Sequence, residues 1–205
     1  MSGLFIVFEG GEGAGKSTQE ALLAQWLTDQ GRSVVRTREP GGTPAGEAIR
    51  AIVLGNEYAG LSDRAEALLF AAARGEHVAR VIRPALESGS VVVCDRYLDS
   101  SVAYQGYARH LDAERIRELS MWATQSLLPD LTIVLNIDPK VGLSRVQSPD
   151  RLESEPEDFH QEVRKAFVEI AATDPQRYLV VDALQDKESI AQVIRDRVSE
   201  LLDSN

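Results

Sequence analysis

Cysteine is nearly absent from this chain. Of 205 residues only Cys94 carries a thiol, which excludes an internal disulfide framework and suits a reducing compartment. Cys94 falls in an apolar run and reads as a small buried hydrophobe. Basic residues are in deficit as well, with 22 Lys and Arg against 32 Asp and Glu and a formal charge of −10. A general binder of nucleic acid or of an anionic membrane needs an extended basic face, so both classes are excluded. Any anionic ligand must instead be gripped by a few focused cations. Histidine is scarce too, with His77, His110 and His160 scattered through helical or turn segments. Long hydrophobic runs are missing: Leu4–Phe8 is far too short to cross a membrane, and no basic stretch precedes it. A soluble cytoplasmic protein is the expectation. Repeats, low-complexity tracts and linkers are also lacking, so residues 1–205 are expected to form a single domain, with 43% hydrophobic content supplying its core.

What the chain does have stands directly behind that first apolar run. Gly10-Gly11-Glu12-Gly13-Ala14-Gly15-Lys16-Ser17 is followed by Thr18 and a helix-forming stretch to Gln30. Glycine, four residues, then Gly-Lys-Ser between strand and helix is the arrangement of a phosphate-binding loop. The glycines let backbone N–H groups converge on phosphate oxygens. Lys16 adds a point charge for the outer phosphates, and the Ser17 hydroxyl can sit on Mg²⁺. A glycine-rich turn with an incidental Lys-Ser is the bland alternative, and the strand-loop-helix order counts against it. The loop is read as binding a nucleoside triphosphate.

Further apolar runs lie at Ser33–Thr37, Ser90–Asp95, Leu131–Ile137 and Tyr178–Val181. Helical patterns separate them: Pro44–Leu54, Ser62–Ser88, Ser100–Tyr107, Asp112–Leu127, Val141–Val146, Glu157–Thr173 and Ser189–Leu202. Strands alternating with helices predict an α/β fold, a five-stranded parallel sheet covered by helices on both faces. Ligands of such sheets bind beyond the strand C-termini. Lys16, Arg38 and Arg96 all follow strand ends, so the three cations should project over one edge.

Other residues join the loop. Asp95 ends a strand at the position of the second acidic residue of phosphate-loop enzymes, where it holds Mg²⁺ directly or through water. Arg96 beside it can fork onto a phosphate. Arg38-Glu39-Pro40-Gly41-Gly42-Thr43 has the look of a second phosphate clamp in a stiff turn, with Glu39-Pro40 a candidate cis bond. Phe70 and Arg74 share one helix face at i, i+4, so a ring could stack a base while a guanidinium donates to its edge. Ser100-Ser101-Val102-Ala103-Tyr104-Gln105 places hydroxyls, a phenol and an amide just past Arg96, groups suited to reading a sugar and a base edge.

Taken together, Phe8–Thr18, Arg38–Thr43, Leu69–Arg74, Asp95-Arg96-Tyr97 with Ser100–Gly106, and Asp150-Arg151-Leu152-Glu153 closely resemble the bacterial thymidylate kinases, from Leu4 to about Ala183. The phosphate loop is shared with a great many proteins, whereas Asp-Arg-Tyr to Ala-Tyr-Gln combined with Arg-Glu-Pro-Gly-Gly-Thr is specific to this family. The resemblance implies a phosphate-loop fold of the nucleoside-monophosphate kinase type with a short lid over about 145–156. It implies transfer of the γ-phosphoryl group of ATP to dTMP, with Mg²⁺, in a homodimer. Gly10, Gly11, Glu12, Gly13, Ala14, Gly15, Lys16, Ser17 and Thr18 would bind ATP, and Ser17 and Asp95 the metal. Arg38 and Arg96 would grip the dTMP phosphate. Phe70 would stack on thymine, Arg74 reach its O4, Ser101 and Gln105 contact the base edge, and Tyr104 lie by the sugar, disfavouring a 2′-hydroxyl. Catalysis would fall to Lys16, Arg96, Glu12 and a lid arginine. Glu12 sits where relatives place a carboxylate that meets the acceptor's sugar or metal-bound waters, and in such relatives the lid supplies the catalytic arginine. Here the lid carries only Arg145 and Arg151, and the family's Asp-Arg-x-Glu pattern favours Arg151.

A phosphate monoester is already mostly a dianion at neutral pH and needs no general base, in keeping with the lack of histidine at any strand end. Two rival readings remain open: a deoxynucleoside kinase with Glu39 as base toward a 5′-hydroxyl, and a nucleotide-dependent switch with a protein partner.

Overall fold

Strand β1 (Leu4–Gly10) is buried along its whole length, which requires cover on both of its faces. Strands β2 (Val34–Arg38), β3 (Val91–Asp95), β4 (Leu131–Asn136) and β5 (Tyr178–Asp182) complete the sheet in a computed structural model that describes residues 3–203. The spatial order is β2-β3-β1-β4-β5 and every pairing is parallel. The fold is thus α/β, as the alternation of elements requires.

Side chains alternate between two cores. Phe5, Val7, Val92, Cys94 and Val134 point to one face, and Leu4, Ile6, Phe8, Val93, Ile133 and Leu135 to the other. The second face is covered by α1 (Lys16–Asp29) through Leu23 and Leu27, and by α9 (Lys187–Asp203) through Ile190, Ile194 and Val198. The first face packs against α3 (Asp63–His77), α6 (Ala113–Ala123) and α8 (Glu157–Ala172). Each aliphatic side chain buried this way contributes roughly 1.5–3 kcal/mol. Short helices complete the chain: α2 (Pro44–Leu54), α4 (Arg83–Glu87), α5 (Leu98–Ser101) and α7 (Pro139–Leu143).

The helical pattern over Ser62–Ser88 resolves into α3, a stretch of π turns at Val78–Ile82, and α4. Pro84 lacks the N–H that a regular turn would return to the Arg80 carbonyl. A second π stretch, Val102–Ala108, follows α5 where a plain helix was expected. Helix α6 stops at Ala123, short of Leu127, because Gln125 and Ser126 take φ values of 51° and 58°. Helix α7 begins two residues before the expected start at Val141, since Asp138 accepts from the Lys140 N–H at 2.9 Å and Pro139 fits the first turn. Between α7 and α8 the chain runs through turns with no helix or strand.

From β1 the chain crosses to β2, and β3 then returns between them before the path leaves for β4 on the far side of β1. The connections therefore diverge at β1 and β3, and a crevice opens beyond their C-terminal ends. Gly10 and Asp95, the last residues of these strands, stand at its floor.

Candidate active site

The crevice is a cavity of about 560 Å³, within the range of small-molecule sites. Its floor is the loop that links β1 to α1. Gly13 and Gly15 have φ values of 63° and 91°. A Cβ at Gly13 would collide with the Gly142 carbonyl oxygen, so the loop lies directly on α7. No side chain caps α1 and no acidic residue stands in its first turn, which leaves that end of the helix disposed toward an anion. Lys16 Nζ donates to the carbonyls of Gly10 (3.1 Å) and Gly11 (3.0 Å). Burial and the nearby Arg96 lower its pKa.

Arg96 stands beside Lys16, and both donate to the Gly10 carbonyl. Its backbone is left-handed, φ 70°, a strained state for a side chain of this size. Glu9 holds the strain in place: its carboxylate accepts from the N–H groups of Tyr97 (2.9 Å) and Ser100 (3.0 Å) and from the Ser100 hydroxyl (2.6 Å). The Arg96 guanidinium donates to Glu12 at 2.8 Å and to the Gly10 carbonyl at 3.1 Å, and lies 5.2 Å over the Tyr104 ring. Tyr104 donates to the same Glu12 oxygen at 2.5 Å. Glu12 is held down to about 2: burial opposes ionisation, but Arg96, Lys16 and the Tyr104 hydroxyl outweigh it.

Most of the residues singled out from the sequence line this one cavity, among them Glu12 through Thr18, Arg38, Glu39, Phe70, Asp95, Arg96, Ser101, Tyr104 and Gln105. Gly10 and Gly11 lie beneath, holding Lys16. Asp95 Oδ1 is buried without a partner, a carboxylate oxygen left for a cation beside the Ser17 hydroxyl that lines the same space. Among the described residues no three His, Cys, Asp or Glu side chains cluster as metal ligands. One carboxylate and one hydroxyl suit Mg²⁺, which keeps waters and takes phosphate oxygens, better than a cation needing a full protein cage.

Two residues lie elsewhere than the sequence suggested. Arg74 is 1% exposed and stands behind the wall. It donates from Nε to Glu39 (2.7 Å), from Nη1 to Ser120 (3.1 Å), and from Nη2 to the Tyr97 carbonyl (3.1 Å) and Ser101 Oγ (3.0 Å). Arg151, expected over the triphosphate, is likewise buried. Its Nη2 is paired with Glu66 and its Nε donates to the Val53 carbonyl at 2.9 Å. A buried carboxylate outcompetes open solvent for a guanidinium, and this holds the side chain away from the cavity. Arg145 lines the cavity instead, donating to the Gly13 carbonyl at 2.8 Å.

Sequence reasoning missed Arg50. It lines the cavity from α2 and donates to the Pro40 carbonyl at 3.0 Å; burial and then Arg38 lower its pKa. The helix pattern of Pro44–Leu54 held a signal, but which face meets the cavity depends on how α2 docks. The Glu39-Pro40 bond is cis. Glu39 is buried at the edge of the cavity, accepting from Arg74 on one oxygen and from His77 Nδ1 (3.0 Å) on the other.

Glu9 leads to a test. Burial pushes its carboxyl from 4.5 up to about 7, with Arg96 opposing and Asp99 adding to the rise. Between those values the folded protein holds a proton that the unfolded chain releases. The stability Glu9 contributes is therefore fully present below about pH 4.5 and lost as pH rises through about 7. Urea midpoints measured from pH 5 to 8 should fall with pH in the native chain and flatten in Glu9→Gln; parallel curves would refute this.

The profile of the family described as Thymidylate kinase matches residues 8–194. A protein named thymidylate kinase from Clavibacter michiganensis subsp. michiganensis is 55% identical, covering 98% of this chain and 97% of its own. Another, from Leifsonia xyli subsp. xyli, is 58% identical over 96% of this chain and 94% of the relative. The crystal structure of thymidylate kinase from Ehrlichia chaffeensis superposes with a TM-score of 0.75 at 35% identity, covering 88% of this chain and 93% of that one. With the profile spanning most of the cavity-lining residues, the chain belongs to the thymidylate kinase family.

Proposed function

We propose that this protein transfers the γ-phosphoryl group of ATP to dTMP, giving dTDP and ADP. One observation carries the reading: a single cavity is lined by more cations than one phosphate group needs, with Lys16 and Arg145 on the phosphate loop and Arg38, Arg50 and Arg96 coming from β2, α2 and the end of β3. Two anionic phosphates side by side repel, and each needs its own positive partners. The engaged state of Glu39 weighs against a deoxynucleoside kinase. Each of its oxygens already accepts a hydrogen bond, from Arg74 on one and His77 on the other, so a 5′-hydroxyl would compete with a charged partner for it, whereas a phosphate monoester needs no base.

The chemistry is then positioning and charge neutralisation. The loop from Gly10 to Thr18 cradles the triphosphate. Arg38, Arg50 and Arg96 hold the acceptor phosphate in line with it, and Lys16 follows the charge as it moves between them. Ser17 and Asp95 would hold Mg²⁺, which supplies charge neutralisation at the triphosphate. Phe70 offers its ring to the base, Ser101 and Gln105 read its edge, and Tyr104 sits by the sugar. Glu12 keeps Arg96 and Tyr104 in register with the loop. We assign the transferring phosphoryl group to Arg145, and to Arg151 the anchoring of the lid over about 145–156. Residues 1–205 act as one kinase domain, and the single buried thiol suits a cytoplasmic location. Among the described residues, no helix is long and apolar enough to cross a membrane, and the chain's acidity argues against nucleic acid as a partner. We also propose a homodimer, supported by Leu68 on α3 and Trp122 on α6, which are 59% and 81% exposed. These helices pack together, so a second copy seated there would take both side chains out of water.

ADP release measured with dTMP, dUMP, AMP, CMP, GMP and thymidine should be fastest with dTMP. Turnover of thymidine alone would overturn the assignment, and ATP binding without ADP from any monophosphate would point to a switch.

Arg145→Ala should lower kcat by about 10³-fold with little change in the KM for dTMP, the scale of a lost phosphoryl-bridging arginine. Arg151→Ala should act mainly on stability, by about 3–5 kcal/mol for a broken buried pair. The reverse pattern in steady-state kinetics and denaturation would return the catalytic role to Arg151.

Sedimentation should give a dimer for the native chain and a monomer for Trp122→Glu. A native chain that sediments as a monomer removes the dimer proposal.

A further inference from the structure

Behind the base-reading wall, Glu66 on α3 is a fully buried carboxylate that phosphoryl transfer leaves without a task. Three side chains converge on it. Gln105 Nε2 donates at 2.8 Å, Arg109 donates from Nε and Nη2 at 3.4 and 3.3 Å, and Arg151 Nη2 is paired with it. Arg109 also reaches Glu155 at 2.5 Å.

An ionised carboxylate accepts hydrogen bonds and donates none. Glu66 therefore binds the NH₂ end of the Gln105 amide, and the carbonyl Oε1 takes the opposite prong. Turning the amide over would set Oε1 against a carboxylate and break a charge-assisted bond. Gln105 lines the cavity, so the polar group it has left to offer there is an acceptor. Ser101, four residues earlier, can supply the complementary sense. Its Oγ already accepts from Arg74 Nη2 at 3.0 Å, leaving its proton free to donate. One wall thus presents a donor at Ser101 and an acceptor at Gln105. Thymine and uracil carry the matching edge, a C4 carbonyl beside an N3–H. Cytosine carries the inverse, an amino group beside a bare N3.

We infer that Glu66 is a specificity-positioning residue: by holding the Gln105 amide in one of its two orientations, it makes the site accept a base with an imide N–H and reject one with an aminopyrimidine edge. This rests on the thymidylate kinase reading of the cavity, and it concerns a residue that touches neither substrate.

The test is Glu66→Gln. In that variant Arg109 and Arg151 both demand the one carbonyl that the new amide offers, so its NH₂ turns to Gln105 and draws Oε1 inward, presenting an amino group to the base. The kcat/KM ratio for dTMP over dCMP should fall by about tenfold or more, chiefly through KM for dTMP, with kcat at saturation changing less. Arg109→Met removes another partner of Glu66 without touching the amide, and should leave the ratio as it is. A folded Glu66→Gln protein with an unchanged ratio overturns the inference. Should that variant not fold, the native protein still decides. One Gln105 side-chain amide proton, followed by ¹⁵N NMR, should exchange slowly both free and saturated with dTMP, and fast exchange overturns the role of Glu66. A native chain that prefers dCMP, or turns over neither, overturns the thymidylate reading instead, and the exchange rate then still decides whether Glu66 holds the amide.

Discussion

Arginines in an acidic chain have to be kept in defined places, and carboxylates do that here, for Arg96 at the cavity and for Arg74 and Arg151 behind its wall. Glu12 fixes Arg96, Glu39 fixes Arg74, and Glu66 fixes Arg151 and part of Arg109. The Glu39–Arg74 and Glu66–Arg151 pairs are shielded from solvent, so removing one partner of either strands a charge at a cost of about 3–5 kcal/mol. Such pairs add little net stability over apolar packing, but they allow one geometry. That geometry is what two mutually repelling phosphates require: donors already placed, with no reorganisation at the moment of transfer. The net charge of −10 is thus compatible with a phosphate site, because the acids near the cavity are spent on orienting cations.

Arg96 shows the cost of that arrangement and how it is met. Its left-handed backbone is unfavourable by about 1–3 kcal/mol, and it persists because Glu9 gathers the two N–H groups and the hydroxyl just beyond it. Glu9 is itself at the end of β1, one residue before the phosphate loop, so the strand that carries ATP's cradle also sets the arginine facing it. The crossing at β1 and β3 is what brings these two strand ends together. Topology, strain and charge placement meet at a single sheet edge.

How much of this can be read from the chain follows from how local each feature is. The phosphate loop, the five strands and the cations at strand ends are encoded within a few residues, and the sheet order then forces them onto one edge. Phe70, Ser101, Tyr104 and Gln105 are legible through the family's motif, and all of them line the cavity. Arg74 and Arg151 share that motif, yet their orientation depends on carboxylates 35 and 85 residues away. No local pattern reports such partners, so a guanidinium placed correctly on its helix or turn still points behind the wall. Arg50 fails in the opposite direction: it has no motif, and only the docking of α2 against the Pro40 turn brings it to the cavity. The π turns at Val78–Ile82 and Val102–Ala108 escape for a related reason, because apolar spacing hardly distinguishes a wide turn from a regular one.

The two lid arginines differ in what restrains them, and this separates their roles. Arg151 is tied to an ionised partner, Glu66, while its own N–H bonds the Leu54 carbonyl and Asn56 bonds the Pro149 carbonyl nearby. Arg145 is tied to a neutral carbonyl, that of Gly13 in the phosphate loop. A phosphoryl oxygen bearing charge outbids a neutral carbonyl for a guanidinium, but it gains far less by competing with a buried carboxylate. On the proposed reading, ATP in the loop would draw Arg145 from Gly13 and leave Arg151 where it is. One end of the segment that carries both is pinned to α2 and α3, through the same Glu66 that holds Gln105, while Arg145 at the other end is held only by the phosphate loop's carbonyl.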